Sequence, residues 1–332
     1  MVVLIVILIL ILISVVIVIV IVIAGFSGPK KGEIKIKIKI KIKKWKVPTF
    51  NFPRPTFSPT LPGMSEVSSV DNIPVFILCG GLGTRLKEET EFRPKPMVPI
   101  GDQPILWHIM NIYARHGFKR FVLCLGFKAE CVIDYFRDFH LHNNDCTIKL
   151  GKNEVQVHES QRNPDWEVTL AYTGLANMTG SRIAQATRKY LGSAQYFAVT
   201  YGDGLTDVDL RAQFDYHRSH PKLGTVLGVN PPSRFGEIKV EADRVLEFAE
   251  KPEIEDHWIN GGYFFFHRDF LRYLSEEQNC VLEREPLIRL ARDGQLNIFR
   301  HRGFWACMDT QRDREQLTHL AQSANPPWLS SK

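Results

Sequence analysis

An apolar run, Val75-Phe76-Ile77-Leu78, passes without interruption into Cys79-Gly80-Gly81-Leu82-Gly83-Thr84-Arg85-Leu86. A short unbroken apolar stretch is what a strand buried on both faces of a parallel sheet requires. A glycine-rich turn at its carboxyl end lies in the crevice where open α/β sheets take ligands. Glycines there let backbone N–H groups approach a phosphate with no Cβ in the way. Arg85, and Lys95 within Arg93-Pro94-Lys95-Pro96-Met97, add positive charge beside the turn. The two prolines stiffen the backbone around Lys95 and limit the entropy lost when it is positioned. The pattern points to a polyanionic nucleotide rather than a neutral ligand. Residues 80–83 also suit a plain strand–helix turn, and that alternative stays open. A P-loop is excluded, because Thr84 is followed by Arg85 and Leu86 where Gly-Lys-Ser/Thr would close the turn. A dinucleotide fingerprint is excluded because Leu86 stands where a third small residue is needed.

Strand and helix patterns alternate after this point. Helical patterns cover residues 104–116, 130–139, 181–190, 207–219, 284–292 and 310–321. Apolar or alternating strand patterns cover 121–125, 145–150, 154–158, 167–172, 196–200, 225–229, 236–240, 245–250 and 262–266. This is a βαβ pattern, and it predicts an α/β fold with a mixed, mostly parallel sheet flanked by helices. His108 falls on an apolar helix face and is expected to be packed rather than catalytic. Tyr263-Phe264-Phe265-Phe266 is expected to be core. Six cysteines show no paired metal-ligand spacing and read as reduced, buried thiols.

Further motifs follow in order: Pro104-Ile105-Leu106-Trp107-His108-Ile109-Met110, Tyr201-Gly202-Asp203-Gly204, Arg234-Phe235-Gly236-Glu237, Glu250-Lys251-Pro252, Ile259-Asn260-Gly261-Gly262 and Met308-Asp309-Thr310. With Gly-Gly-x-Gly-Thr-Arg-Leu and Pro-Lys-Pro-Met, this colinear set resembles the sugar-1-phosphate nucleotidylyltransferases, and among them the cytidylyl-transferring branch. The resemblance runs from about Ile73 to the C-terminus. It implies a Rossmann-like fold of the nucleotide-diphospho-sugar transferase type, with a small β-rich sugar-binding lobe. It implies transfer from CTP to glucose 1-phosphate with Mg²⁺, giving CDP-glucose and pyrophosphate. Thymidylyl or uridylyl transfer, and a non-catalytic nucleotide-sensing subunit on the same fold, remain alternatives. Relatives of this fold are commonly homo-oligomers.

The resemblance also implies roles. Gly80, Gly81, Leu82, Gly83, Thr84, Arg85, Lys95, Thr179, Gly180 and Arg182 would bind the nucleotide. Tyr201, Glu250, Lys251, Asn260 and Gly262 would bind the sugar phosphate. Arg85, Lys95, Asp203, Lys251 and Asp309 would carry the chemistry, with Asp203 and Asp309 as Mg²⁺ ligands. Magnesium takes one or two carboxylates together with phosphate oxygens. Residue by residue, blander readings stand beside these. Asp203 could cap a turn, Asp309 could cap the following helix, the lysines could be solvated, and Arg182 could be an exposed helix residue. Three departures from the family pattern bear on base and sugar preference: Ser181 for a usual Gly, Tyr172 for a common Asp, and Ala306-Cys307 for a usual Gln-Pro.

The N-terminus differs from the rest. Residues 1–63 hold nine Lys and one Arg against one Glu, a local +9; the whole chain carries +6, so the remainder is near −3. The catalytic region therefore gives no basic signal for nucleic acid. Met1 to Ala24 has one polar side chain, Ser14, and as a helix would extend about 36 Å, enough to cross a bilayer. Lysines at 30–46 follow, which would leave the catalytic part cytoplasmic. The two-residue repeats Val-Ile-Val-Ile and Ile-Lys-Ile-Lys equally fit a spurious low-complexity extension. The domain reading is residues 1–24 apolar, 25–63 a Lys-rich then Pro-rich linker, and 64–332 catalytic. A chain starting at Met64 is expected to be soluble, folded and fully active. Circular dichroism and turnover measured on that chain check this, and loss of either would show that residues 1–63 pack onto the remainder.

Overall fold

The computed structural model describes residues 70–158, 163–231, 236–249 and 257–329. By its contacts the chain divides into Met1–Met64 and Ser65–Lys332. The first unit, and with it the apolar run and the Lys-rich linker, lies outside the described residues. Among the described residues no helix is long and apolar enough to cross a membrane.

Strands β1 (Pro74–Leu78), β2 (Arg120–Leu125), β3 (Glu167–Tyr172), β4 (Tyr196–Tyr201), β6 (Gly224–Val229), β7 (Ile259–His267) and β8 (Leu296–His301) form one seven-stranded sheet in the order β8-β6-β7-β4-β1-β2-β3. Strand β7 alone runs against its neighbours β4 and β6; the other pairings are parallel. The short strands β5 (Gly204–Thr206) and β9 (Trp305–Cys307) form a separate antiparallel ribbon.

Strand side chains alternate between two apolar layers. Val75, Ile77, Phe121, Leu123 and Phe265 face a cluster built on helix α1 (Ile105–Arg115). Phe76, Leu78, Val122, Phe264 and Phe266 face a second cluster on α2 (Thr179–Tyr190). This is the period-two pattern of strands covered on both faces. The helix α3 (Leu210–Arg218) packs with the first layer, and α4 (Glu285–Arg292) with the second. The α/β expectation holds, and Tyr263 to Phe266 are buried as expected.

His108 is buried in α1. The Trp328 indole N–H donates to its Nδ1 (3.2 Å), so its Nε2–H donates to the Ile100 carbonyl (2.9 Å). Burial lowers its pKa, against the pull of that carbonyl, so it is a neutral packed histidine.

Three differences from the sequence reading have local causes. Strand β8 was not expected: it lies at the sheet edge, half-buried, with Asn297 and Arg300 interrupting its apolar pattern. The helix expected over 207–219 begins later, because Asp209 caps it by accepting from the Ala212 N–H (2.9 Å), while Gly204–Thr206 is spent on the ribbon. Cys146 is exposed on the hairpin Asp145–Lys149/Glu154–His158, and Cys131, Cys280 and Cys307 are half-buried, so only Cys79 and Cys124 fit the buried-thiol expectation.

Candidate active site

Strands β1 and β4 lie side by side, with Leu78 opposite Tyr201. Their carboxyl ends therefore deliver the glycine-rich turn and Gly202-Asp203 to the same edge of the sheet. A cavity of about 460 Å³ opens there, lined among others by residues 80–84, Lys95, Thr179, Arg182, Tyr201 and Asp203. The turn does not run directly into a long helix: a single helical turn, Lys87–Thr90, follows it. Gly81, Leu82 and Thr84 are exposed.

Asp309 reaches this edge from the far end of the chain. Antiparallel pairing places Cys307 opposite Gly204, and the Met308 N–H donates to the Asp203 carbonyl (2.8 Å). The next helix, α5 (Gln311–Ala321), is capped by Thr310, with Asp313 completing a capping box. The Asp313 carboxylate also accepts from the Asp309 N–H (3.0 Å). Asp309 is thus held by the helix start but is not its cap, and its side chain is turned to the cavity edge.

Both carboxylates meet one ammonium. Lys95 Nζ donates to Asp203 Oδ2 and Asp309 Oδ1, each at 2.7 Å. Arg85, largely exposed, donates to Asp309 Oδ2 at 3.3 Å. Burial works against the Lys95 charge, but attraction to Asp203 and the hydrogen bonds to both carboxylates outweigh it and raise the pKa. The Lys95 backbone opens a 3₁₀ turn after extended Pro94, which fixes the root of the side chain.

Asp203, Cys307 and Asp309 bring one donor atom each to within 4.8 Å of one another. Burial first, then the two neighbouring carboxylates, pushes the Cys307 thiol up, so it is neutral. What remains is a pair of carboxylates, the donor type a hard cation such as Mg²⁺ selects. The residues present fit that ion.

On the other cavity wall, Tyr201 donates to Glu283 Oε1 (2.6 Å), and the Thr179 hydroxyl donates to Glu283 Oε2 (2.8 Å). Burial, then the Glu283 charge, keeps the Tyr201 phenol protonated. Asn260 donates to the Tyr201 oxygen (3.4 Å) and accepts from the Gly262 N–H (2.8 Å). Gly262 has φ +81, and a Cβ there would lie 2.6 Å from the Tyr201 ring; both facts demand glycine. Glu283 was not legible in the sequence, because Leu282-Glu283-Arg284 carries no motif. Glu250 and Lys251 lie outside the described residues.

Arg182 is 4% exposed, so the reading of it as an exposed helix residue does not hold. Its two terminal nitrogens donate to the carbonyls of Gly80, Leu125, Gly174 and Leu175 and to the Thr173 hydroxyl, at 2.8 to 3.1 Å. A Cβ on Gly80 would fall 2.2 Å from this guanidinium. Arg182 therefore ties the glycine-rich turn to the end of β2 and the loop after β3. Gly180 sits in the first turn of α2 against Cys280. Ser181 is buried and donates to the Glu276 carbonyl (3.0 Å), pointing its difference from the family pattern into packing. Tyr172 is exposed.

The sequence profile of the nucleotidyl transferase family matches residues 74–305. Glucose-1-phosphate cytidylyltransferase of Salmonella typhi is 42% identical over 252 residues, covering 76% of this chain and 97% of that one. The mannose-1-phosphate guanylyltransferase catalytic subunit beta of Danio rerio is 26% identical, covering 74% of this chain and 62% of that one. Among solved structures, HddC of Yersinia pseudotuberculosis superposes with a TM-score of 0.53 at 22% identity, over 75% of this chain and all of that one. The chain belongs to the nucleotidyl transferase family. Its sheet and flanking helices are those of the nucleotide-diphospho-sugar transferase fold, and its 42%-identical relative transfers a cytidylyl group.

Replacing Arg182 by Ala strands five oxygen acceptors at once and should destabilise the fold by about 2–4 kcal/mol. Lys at this position should not restore it, since one ammonium cannot reproduce the guanidinium fork. Urea unfolding of the two variants measures both effects.

Proposed function

We propose that the chain transfers a cytidylyl group from CTP to α-D-glucose 1-phosphate, forming CDP-glucose and pyrophosphate. What carries this reading is the 42% identity to a cytidylyltransferase across 97% of its length, joined to a cavity edge where Lys95, Asp203 and Asp309 converge. A glucose 1-phosphate oxygen attacks the α-phosphorus in line. The bond to the β-phosphate oxygen breaks, and its electron pair leaves with pyrophosphate. A phosphate oxygen is already a usable nucleophile, so the barrier is one of charge repulsion and positioning.

The residues divide accordingly. The backbone of residues 80–84 borders the triphosphate, Arg85 faces its β- and γ-phosphates, and Lys95 faces the α-phosphate. Lys251 holds the sugar phosphate, and Glu250 accepts from the sugar hydroxyls. Tyr201, Asn260 and Gly262 shape the glucose side. Asp203 and Asp309 would hold Mg²⁺, which when bound supplies charge neutralisation on the phosphates. Arg182 positions the turn and also lines the cavity where the nucleotide is placed. Residues 64–332 form the catalytic unit, placed in the cytoplasm; exposed apolar side chains on the hairpin Glu237–Glu241/Arg244–Ala249, such as Ile238 and Phe248, support self-association into a homo-oligomer.

Incubation with glucose 1-phosphate, Mg²⁺ and each of CTP, UTP, dTTP and GTP should give CDP-glucose as the main product by chromatography. Equal or better turnover with dTTP would move the assignment to thymidylyl transfer, and no turnover with any of the four would favour a sensing subunit.

Asp203→Asn and Asp309→Asn should each lower kcat about 10²-fold or more, the size of one lost transition-state electrostatic contact. The double variant should lose less than the sum of the two, because both act on one charge. Wild-type-like rates in either single variant would remove that residue from the site.

A further inference from the structure

The Lys95 ammonium occupies the space between Asp203 and Asp309, within hydrogen-bond distance of an oxygen on each. We propose that Lys95 is a resident counter-ion that keeps divalent cations off this carboxylate pair until a nucleotide arrives, so that metal and CTP enter together. The proposal rests on the assignment of Asp203 and Asp309 as metal ligands.

Three observations carry it. The ammonium engages one oxygen of each carboxylate, and Arg85 takes the other oxygen of Asp309. A cation arriving alone must therefore displace bonds already made to charged donors, which are stronger than neutral ones. The charge balance also disfavours it. Lys95 and Arg85 already offset part of the charge on Asp203 and Asp309, so a bare divalent ion gains less Coulombic energy there than at an unpaired carboxylate pair. Finally, Lys95 is rooted but not immobile. Pro94, Pro96 and the 3₁₀ turn fix its backbone, while its four-carbon stem can swing. It lines the same cavity as residues 80–84, where the triphosphate is placed.

A triphosphate gives Lys95 and Arg85 a new set of anionic partners. When they turn to it, the carboxylates regain their negative charge toward the cavity and can take the metal that the nucleotide brings. The cluster that holds a bare cation only weakly then receives a metal–nucleotide complex. On this reading Lys95 has two successive partners, the carboxylate pair before binding and the α-phosphate after it.

Mn²⁺ serves as the probe, with loss of the free-ion electron paramagnetic resonance signal as the readout and no nucleotide present, on the full chain. Lys95→Met should bind Mn²⁺ about tenfold or more tightly than the unaltered chain, since the cluster becomes one unit more negative. Lys95→Gln, which keeps hydrogen-bonding groups without the charge, should show the same gain and guards against a folding defect in Lys95→Met. Lys95→Arg, which keeps the charge, should not show it. Combining Asp203→Asn with Lys95→Met should abolish the gain. Equal Mn²⁺ affinity in the unaltered chain, Lys95→Met and Lys95→Gln overturns the counter-ion role. In that case, binding that still weakens with Asp203→Asn leaves the metal assignment standing, whereas binding indifferent to Asp203→Asn removes that assignment too.

Discussion

One backbone hydrogen bond, from the Met308 N–H to the Asp203 carbonyl, joins the two ends of the site. Asp203 follows the central strand β4, and Asp309 follows β9, more than a hundred residues later. The β5–β9 ribbon and this bond set their side chains at the same cavity edge. Two carboxylates held that close repel each other, and the arrangement requires a positive partner. Lys95 meets that need from a third, distant segment, and its flanking prolines keep its root in place. The glycine-rich turn is then left to present backbone and Arg85 to the same space.

The cavity walls are held by residues that do not touch the carboxylate pair. Arg182 gathers carbonyls from the turn after β1, the last residue of β2 and the loop after β3, so three strand ends keep one spacing. Glu283 does the same on the opposite wall, joining Thr179 at the start of α2 to Tyr201 at the end of β4. Both use one planar charged group to satisfy several partners, which fixes direction as well as distance. A site that must bring two anions together needs such rigidity, because small misplacements of the reacting atoms cost rate.

Much of the fold was legible. Val75 to Leu78, the run before Tyr201 and the aromatic run Tyr263 to Phe266 announced buried strands through unbroken apolarity. Pro104 and Gly117 marked the limits of α1. Where legibility failed, the cause was local. The edge strand β8 buries little and so needs no continuous apolar pattern. The three-residue strands β5 and β9 are too short to show a period. The sequence leaves Asp309 open to a capping role, which the structure gives to Thr310 instead. The burial of Arg182 is not legible, because nothing in Thr179-Gly180-Ser181-Arg182 shows that four carbonyls from three strand ends converge on it.

By itself, the sequence determined the class of fold, most of the strands and helices along the chain and the residue types gathered for phosphate chemistry. These depend on apolar periodicity and on glycine and proline, whose effects act over a few residues. Only the tertiary structure decided that Lys95 stands between Asp203 and Asp309, that Arg182 serves the turn, and that Glu283 belongs to the site. Each of those depends on a distance between segments remote in the chain. That distance is set by strand order and ribbon pairing, which no local pattern encodes.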